Sequence, residues 1–397
     1  MQKMPGETLL KLAAMVFDRD TVERILTPAL SDMQQEWLEA VRSGKRREAA
    51  AARVRGTLDF ARTALAISAI HGAGRLRRLP PALVLGPVGL AVLGVFWIRA
   101  AGISGGNAAA EGAPPAFYKL QGAYLAAGVF LMAITALTPL RRLARTPFRW
   151  ALLGAAMLGA TLVFGVEMEG ARRWVSLAGL NLLPGELVKP VFLVAIAGCL
   201  AGSNAGKVTP ALSALAIGAL FAVPIALQPD PALTAVLLLS LGAMGIAAGG
   251  TAVRRAGIAL PCSAAAAIAL LFGGGTTAPP IGDRHTDFIG RVIVEQAGVW
   301  GVVVVAALMG LTLASMRSAA KRGGDQLAHV LVAGASAMWI SQAAIHLGGA
   351  LGALPNTGIA LPLLSYGGSS VVSFFLTLGL LAGASIRPLQ SLSAPEA

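Results

Sequence analysis

The residues whose types most clearly suggest catalysis are an aspartate and a histidine two positions apart, Asp287 and His285. Asp287 lies shortly before a long apolar segment, where the dipole of the following helix would favour an anion. A carboxylate placed there can take the proton of a reacting hydroxyl as a general base. It can also cap the helix N-terminus, and His285 can support it through a hydrogen bond. Glu295 follows about two helical turns later, so both carboxylates can face one cavity.

A second set of ionisable residues opens another apolar segment. Glu186 and Lys189 are three positions apart and therefore share one face of a helix. Pairing lowers the cost of holding both groups near lipid. The pattern fits a purely structural ion pair and a pair that contacts substrate about equally well.

Two adjacent arginines, Arg172 and Arg173, precede Trp174, a residue type typical of the membrane interface. The planar guanidinium group matches the spacing of phosphate oxygens. These arginines could therefore contact lipid headgroups in general or recognise a diphosphate in particular.

The last apolar segment opens with a run of small polar residues, Ser365-Tyr366-Gly367-Gly368-Ser369-Ser370. No nucleophile elbow surrounds Ser365, so the pattern does not indicate a catalytic serine. The glycines would allow helices to approach closely, and the serines would line a cavity with hydroxyl groups. We predict a structural or substrate-lining role for Ser365 and Ser369.

The composition indicates that a membrane surrounds these residues. The chain has 397 residues, of which 56% are hydrophobic and 13% charged, and its mean hydropathy is +0.71. A soluble domain carries about 25% charged residues, which argues against a water-soluble enzyme. The formal net charge is +13, but the basic residues do not form one continuous stripe. A basic cytoplasmic face of a membrane protein therefore explains the charge better than nucleic-acid binding does. Cys199 and Cys262 lie within apolar runs and offer no disulfide framework.

Ten apolar segments predict an all-α polytopic membrane protein with about ten transmembrane helices. Each segment is near the ~20 residues that cross ~30 Å of hydrocarbon, although several are short. The predicted spans are 82–100, 119–138, 149–167, 187–203, 210–227, 232–250, 256–274, 297–315, 326–350 and 367–385. Lys and Arg collect in alternate connections, which places both termini in the cytoplasm if ten spans are present.

Residues 1–79 differ from the remainder in charge density, since they hold 14 of the 32 Lys and Arg and 9 of the 19 Asp and Glu. The stretch 32–55 predicts a polar helix, and the apolar run 58–71 is too short to span a bilayer. We interpret residues 1–79 as a small helical cytoplasmic appendage. The membrane domain then covers residues 80–390, and residues 391–397 form a cytoplasmic tail.

Four motifs in order, between the expected spans, resemble those of the SEDS family, which includes FtsW, RodA and SpoVE. The resemblance covers roughly residues 80–390. Its motifs are Gly170-Ala171-Arg172-Arg173-Trp174 with Pro184-Gly185-Glu186 and Lys189, Gln228-Pro229-Asp230 with Thr234-Ala235, His285-Thr286-Asp287-Phe288-Ile289, and Pro355-Asn356-Thr357-Gly358 with the serine and glycine run.

The resemblance implies a peptidoglycan glycosyltransferase that polymerises lipid II, an undecaprenyl-diphosphate-linked glycan precursor, on the outer face of the bacterial cytoplasmic membrane. It identifies Asp287 as the catalytic residue and favours diphosphate recognition by the arginines. The implied substrate-binding residues are Arg172, Arg173, Glu186, Lys189, His285, Glu295, Ser365 and Ser369. A divalent cation, Mg²⁺ or Mn²⁺, could assist departure of the diphosphate, and no other cofactor is expected.

The same resemblance implies a partner, a transpeptidase of the class B penicillin-binding type, in cell division or elongation. One departure from the family pattern keeps alternatives open, because only about ten residues, 273–282, precede Asp283 where typical members carry a long outer segment. A shortened loop is compatible with a non-catalytic scaffold that retained the fold. A lipid-linked sugar flippase would need ionisable residues between both faces, whereas the charges here collect on the outer side.

Overall fold

A computed structural model describes residues 5–6, 9–10, 13, 22–76, 79–104, 117–168, 171–177, 180–201, 208–272, 289–355 and 357–385. The chain divides into two compact units. The first comprises Met1–Arg78 with Leu137–Arg142, and the second comprises Leu79–Ala136 with Leu143–Ala397.

The first unit contains a helical hairpin. A π-helical turn, Val22–Leu26, leads into α1, Thr27–Arg42, which packs against α2, Arg46–Leu76. The prediction of one polar helix over 32–55 is wrong, because Gly44 breaks it with a φ of +72°, a left-handed conformation that glycine adopts without strain. The hairpin core consists of Leu26, Leu30, Met33 and Phe60, together with Ala13.

The second unit is a bundle of apolar helices. In chain order they are α3, Pro81–Ser104; α4, Phe117–Leu137; α6, Pro147–Phe164; α7, Pro184–Leu200; α8, Val208–Leu227; α9, Pro231–Ala247; α10, Ala252–Phe272; α11, Ile289–Gly323; α12, Gln326–Ala350; and α13, Gly368–Ser385. A one-turn helix, α5, Leu140–Leu143, lies between α4 and α6. Each predicted apolar segment thus coincides with one helix.

Eight of these helices are long and apolar enough to cross a membrane. The other two, α7 and α9, have 17 residues each. Most residues of both helices are buried, because α7 packs against α6 and α13 while α9 packs against α10 and α12. The predicted all-α polytopic fold is confirmed, and crossing by the two short central helices stays a prediction.

Small residues bring some helices of the bundle unusually close together. A Cβ added at Gly379 of α13 would lie 1.8 Å from Oγ1 of Thr135 on α4, so no larger residue fits without movement. The Thr135 hydroxyl in turn lies 3.4 Å from the Leu376 carbonyl oxygen. Close backbone approach through glycine is a common way for helices to pack in lipid.

A small antiparallel sheet interrupts the helical pattern between α6 and α7. Its strands are β1, Val166–Met168; β2, Ala171–Leu177; and β3, Leu180–Leu182, in the order β1-β2-β3. This sheet was not predictable from the sequence, because two of its strands have three residues and show no alternation long enough to recognise. The register places Glu167 opposite Arg172.

Helix α11 is longer than predicted and is broken near one end. It has 35 residues and contains Gly298 at φ 57° and ψ −148°, outside the helical region. The predicted segment began at residue 297, next to this break, whereas the helix itself begins at Ile289. The break divides α11 into a short first part and a long apolar second part.

Candidate active site

Among the described residues, connections that carry predicted site residues contact neighbouring helix ends within the second unit. The sheet between α6 and α7 contacts the turn between α8 and α9 through Arg173, which hydrogen-bonds to the carbonyl of Gln228. The first turn of α13 contacts the residue that precedes α7, because Oγ of Ser369 accepts a 2.9 Å hydrogen bond from the Leu183 amide. The site is therefore assembled from four helix ends and the segments between them.

The predicted pair on α7 is present and extends into a buried polar chain. Lys189 Nζ lies 2.7 Å from Oε1 of Glu186 and 2.7 Å from Oε1 of Gln342 on α12. Nε2 of Gln342 then donates a 2.9 Å hydrogen bond to the carbonyl of Ala360, in the segment before α13. These contacts join two helices and a connecting segment through one ammonium group.

Because Glu186 and Lys189 are both buried, their pairing is important for the stability of the protein. Glu186 is 5% exposed and Lys189 is 4% exposed. Taking both ions out of water costs several kcal/mol per ion, which only close pairing and further hydrogen bonds can offset. Removing one partner would leave the other charge buried and unpaired, so the two side chains act as a unit.

The two arginines of β2 have different environments. Arg172 is exposed and forms a 3.4 Å contact with Glu167 across the strand pair, a surface interaction that contributes little stability. Arg173 donates to the backbone carbonyls of Gln228 and Pro229 and lies 4.0 Å from Asp230. Arg173 therefore braces the α8–α9 turn in this structure, and diphosphate contact by either arginine stays a prediction.

Asp230 begins α9 and fixes its direction. Its Oδ1 accepts a 3.0 Å hydrogen bond from the Leu233 amide, the usual capping contact of a helix N-terminus. Burial raises the pKa of the Asp230 carboxyl, and the nearby Arg173 guanidinium opposes this shift. The Asp230 side chain therefore supports the turn that Arg173 also holds.

The two predicted serines, Ser365 and Ser369, form hydrogen bonds with backbone amides. Oγ of Ser365 accepts a 2.7 Å hydrogen bond from the Leu361 amide, and Ser369 binds the Leu183 amide as described above. Gln121 of α4 secures the same segment, since its Nε2 donates to the Ser365 carbonyl and its Oε1 accepts from the Gly367 amide. These contacts support the structural interpretation of the serines, and substrate contact stays a prediction.

The two residues with the strongest predicted chemistry, His285 and Asp287, lie outside the described residues. Helix α11 begins at Ile289, two positions after Asp287. Glu295 lies on the first part of α11, before the break at Gly298, and is exposed. The catalytic assignment of Asp287 and the supporting assignments of His285 and Glu295 therefore stay predictions.

Two polar residues of α12, Gln342 and His346, were not among the predicted site residues. His346 is 4% exposed, and its Nδ1 lies 2.7 Å from the Ile359 carbonyl, which requires a proton on Nδ1. Among the described residues none donates to its Nε2, which lies 3.6 Å from where a Cβ of Gly290 would be. Gln342 and His346 are four positions apart inside an apolar helix. This spacing could have identified them from the sequence, because polar groups at membrane depth tend to mark functional sites.

A metal site is not apparent in the part of the chain that the structure describes. There, no three His, Cys, Asp or Glu side chains lie close enough together to hold an ion. The divalent cation thus stays an expectation from the sequence.

The structure is therefore that of a polytopic helical membrane protein with a buried chain of Glu186, Lys189 and Gln342. The model of the cell cycle protein family FtsW/RodA/SpoVE matches residues 82–274 and 273–388. This chain belongs to that family, as the sequence motifs predicted.

The chain is also similar to individual members. It is 27% identical over 313 residues to a probable peptidoglycan glycosyltransferase FtsW of Thiomicrospira cyclica, covering 66% of this chain and 81% of that protein. It is 28% identical over 331 residues to the corresponding protein of Bacillus subtilis, covering 68% and 81%. The rod shape determining protein RodA of Thermus thermophilus matches with a TM-score of 0.63 and 28% identity, covering 77% of this chain and 97% of that one.

Proposed function

We propose that this chain is a peptidoglycan glycosyltransferase that polymerises lipid II into glycan strands during division or elongation. The observation that carries this proposal is the family match over residues 82–388, joined with relatives named as peptidoglycan glycosyltransferases. The buried chain of Glu186, Lys189 and Gln342 supports it, because a costly ionic network at membrane depth is expected at a working site.

In the proposed reaction the 4-hydroxyl of one sugar attacks the anomeric carbon of a second, polyprenyl-diphosphate-linked sugar. The glycosidic carbon–oxygen bond forms as the bond to the diphosphate oxygen breaks. Asp287 takes the proton of the attacking hydroxyl, which general-base catalysis of this kind accelerates by about 10²- to 10⁴-fold. The departing diphosphate carries the electron pair, and a cationic group close to it would stabilise the developing charge.

Of the arginines, Arg172 is the better candidate for diphosphate contact. Its guanidinium is exposed and lies 3.4 Å from the Glu167 carboxylate. Arg173, in contrast, is engaged with the carbonyls of the α8–α9 turn. We assign Lys189 an indirect role, since its ammonium is shared between Glu186 and Gln342 and holds α7 against α12.

The decisive experiment measures glycan strands formed from labelled lipid II by the purified protein, alone and with a candidate transpeptidase. Asp287→Ala protein should bind lipid II and form no product. Glu111→Gln, which removes a carboxylate from the connection between α3 and α4, is the matched control and should retain turnover. Turnover at the normal rate in well-folded Asp287→Ala protein would contradict the general-base assignment.

A class B penicillin-binding transpeptidase is the proposed partner. One structural neighbour, with a TM-score of 0.64 and 25% identity, comes from a study of a peptidoglycan synthase complex that coordinates polymerisation and crosslinking. Co-purification of this chain with such a transpeptidase, and a higher polymerisation rate in the pair, would support the assignment.

The proposed orientation places both termini in the cytoplasm. The basic residues at the ends of α10 and α11, Arg254, Arg255, Lys321 and Arg322, would then face inward, as the excess of Lys and Arg in cytoplasmic loops predicts. An epitope at residue 10 should be inaccessible in intact cells and become accessible after permeabilisation. Labelling of this epitope in intact cells would show that the topology is the reverse of the proposed one.

The scaffold alternative draws support from the connection between α10 and α11, which has 16 residues, 273–288, in this chain. A scaffold would bind its partner and lipid II without forming product. Protein that binds lipid II yet yields no strands, either alone or with a transpeptidase, would favour this function.

A further inference from the structure

A cavity inside the bundle adjoins the Glu186–Lys189 pair. It has a volume of about 30 Å³. Its wall is formed by α7, α11, α12 and α13, and by Pro362 of the segment before α13. One water needs about 10–15 Å³ of such volume, so the cavity has room for about two water molecules.

Two residues that line this cavity each carry a buried polar atom with no hydrogen-bond partner among the described residues. In the described part of the chain nothing donates to Oε2 of Glu186, and nothing accepts from Nε1 of Trp339. Glu186 is 5% exposed and Trp339 is 2% exposed, so bulk solvent does not reach either side chain. A buried polar group left without a hydrogen bond costs about 1–3 kcal/mol, which makes an internal partner necessary.

The remaining polar lining can complete such a partner's hydrogen bonds. Ser370, Ser373 and Thr377 of α13 line the cavity and, at spacings of three and four, share one face of that helix. Thr377 donates to the Ser373 carbonyl, which leaves its hydroxyl oxygen able to accept. Lys189 has three N–H donors, of which Glu186 and Gln342 take two.

We propose that this cavity is a binding site for structural water, which accepts from Trp339 and donates to Glu186. The lining favours water over a metal cation, because the Lys189 ammonium and the Trp339 N–H present positive charge and a donor to the same space. The internal water gives the Glu186 carboxylate the second hydrogen bond that the pair with Lys189 does not supply. This inference does not depend on the proposed reaction.

X-ray radiolytic footprinting of the full-length protein in lipid nanodiscs tests the proposal directly. A short pulse generates hydroxyl radicals from bound water, and these oxidise the side chains beside it. Met338 and Trp339 line the cavity and are 5% and 2% exposed. They should be oxidised severalfold faster than equally buried residues elsewhere in the bundle, Met132 at 4% and Trp97 at 5%. Equal rates at both sets would overturn the proposal.

A pair of alanines on α12 provides matched variants. Ala335 lines the cavity and Ala343 does not, and each is 4% exposed. Ala335→Val adds methyl groups into the water space and should cause loss of the fast oxidation of Met338 and Trp339. Ala343→Val should leave both rates unchanged. Fast oxidation that persists in folded Ala335→Val protein would also overturn the proposal, and the comparison within the unmodified protein stands if that variant fails to fold.

Discussion

Lys189 is the residue whose replacement best separates structure from function. Lys189→Met leaves Glu186 buried without its cation and should destabilise the protein by about 3–5 kcal/mol. Glu186→Gln combined with Lys189→Met removes both charges and should recover most of that stability. Thermal unfolding of the purified variants measures both effects.

Polymerisation of lipid II by the double variant then decides the role of the pair. A stable but inactive double variant would show that the charges themselves serve the reaction. A stable and active one would make the pair purely structural. If Lys189→Met alone unfolded at the temperature of the unmodified protein, the 2.7 Å contact would not be important for the fold.

Asp230 tests the capping of α9. Asp230→Ala removes the acceptor for the Leu233 amide and should cost about 0.5–2 kcal/mol. Asp230→Asn keeps a capping oxygen and should cost less, so the two variants separate the cap from the charge. The measurement is the thermal unfolding temperature of each variant, and equal losses would show that the 4.0 Å contact with Arg173 matters more than the cap.

The same residue gives a pH dependence with a definite sign. Burial raises the pKa of Asp230 in the folded state, so the folded protein holds this proton more tightly than the unfolded chain does. The associated stabilisation is complete below the unfolded-state pKa and is lost as pH rises through the folded-state pKa. The unmodified protein should therefore lose stability relative to Asp230→Asn as the pH rises through that window.

At the scale of elements, the break in α11 makes a prediction about glycine. Gly298 has a φ of 57° and a ψ of −148°, a region essentially restricted to glycine, so Gly298→Ala should cost about 1–3 kcal/mol. Gly310 lies in the same helix without positive φ, and a Cβ at either position meets no atom within 4 Å. Gly310→Ala should be neutral or stabilising by up to about 1 kcal/mol. Equal unfolding temperatures for the two variants would show that α11 is straight.

The helices were predictable from sequence because each apolar run is close to one membrane crossing in length. The predicted segment 326–350 coincides with α12, and 210–227 differs from α8 by two residues at one end. The i,i+3 spacing of Glu186 and Lys189 likewise predicts their pairing, which is confirmed by a distance of 2.7 Å between the two charged groups. Helical periodicity thus determines both the elements and the contacts made within one of them.

Contacts between distant segments were not predictable in this way. Arg173 was identified as a residue for headgroup or diphosphate contact, which stays a prediction, but its hydrogen bond to a turn 55 residues later in the chain was not predictable. Gln342 joins Lys189 from 153 residues away, and local spacing carries no information about such a partner. The three-residue strands β1 and β3 are too short for a period to be recognised.

At the scale of the whole molecule, the family match and the division into units lead to the same expectation. The matched residues begin at 82, whereas the hairpin of α1 and α2 belongs to the unit that contains Met1–Arg78. The hairpin has its own apolar core of Leu26, Leu30, Met33 and Phe60. Glycan polymerisation should therefore be a property of the second unit.

Deletion of residues 1–70 tests this expectation. The truncation removes most of the hairpin but keeps Arg75, Arg77 and Arg78, which precede the first span and would help to orient it in the proposed topology. Polymerisation of lipid II by the purified truncated protein should remain close to that of the full chain. Deletion of the tail 391–397 serves as a truncation control, and loss of turnover from the N-terminal deletion alone, in folded protein, would make the hairpin part of the enzyme.

Phe60→Ala makes the same test without shortening the chain. Phe60 is 5% exposed in the hairpin core, and loss of its ring should cost about 3–5 kcal/mol within that unit. Hydrogen exchange should accelerate at amides of α1 and α2 while those of α9 and α12 keep their protection. Unchanged polymerisation together with this local loosening would establish that the bundle works independently of the hairpin, whereas faster exchange in α9 and α12 would show that the two units are energetically coupled.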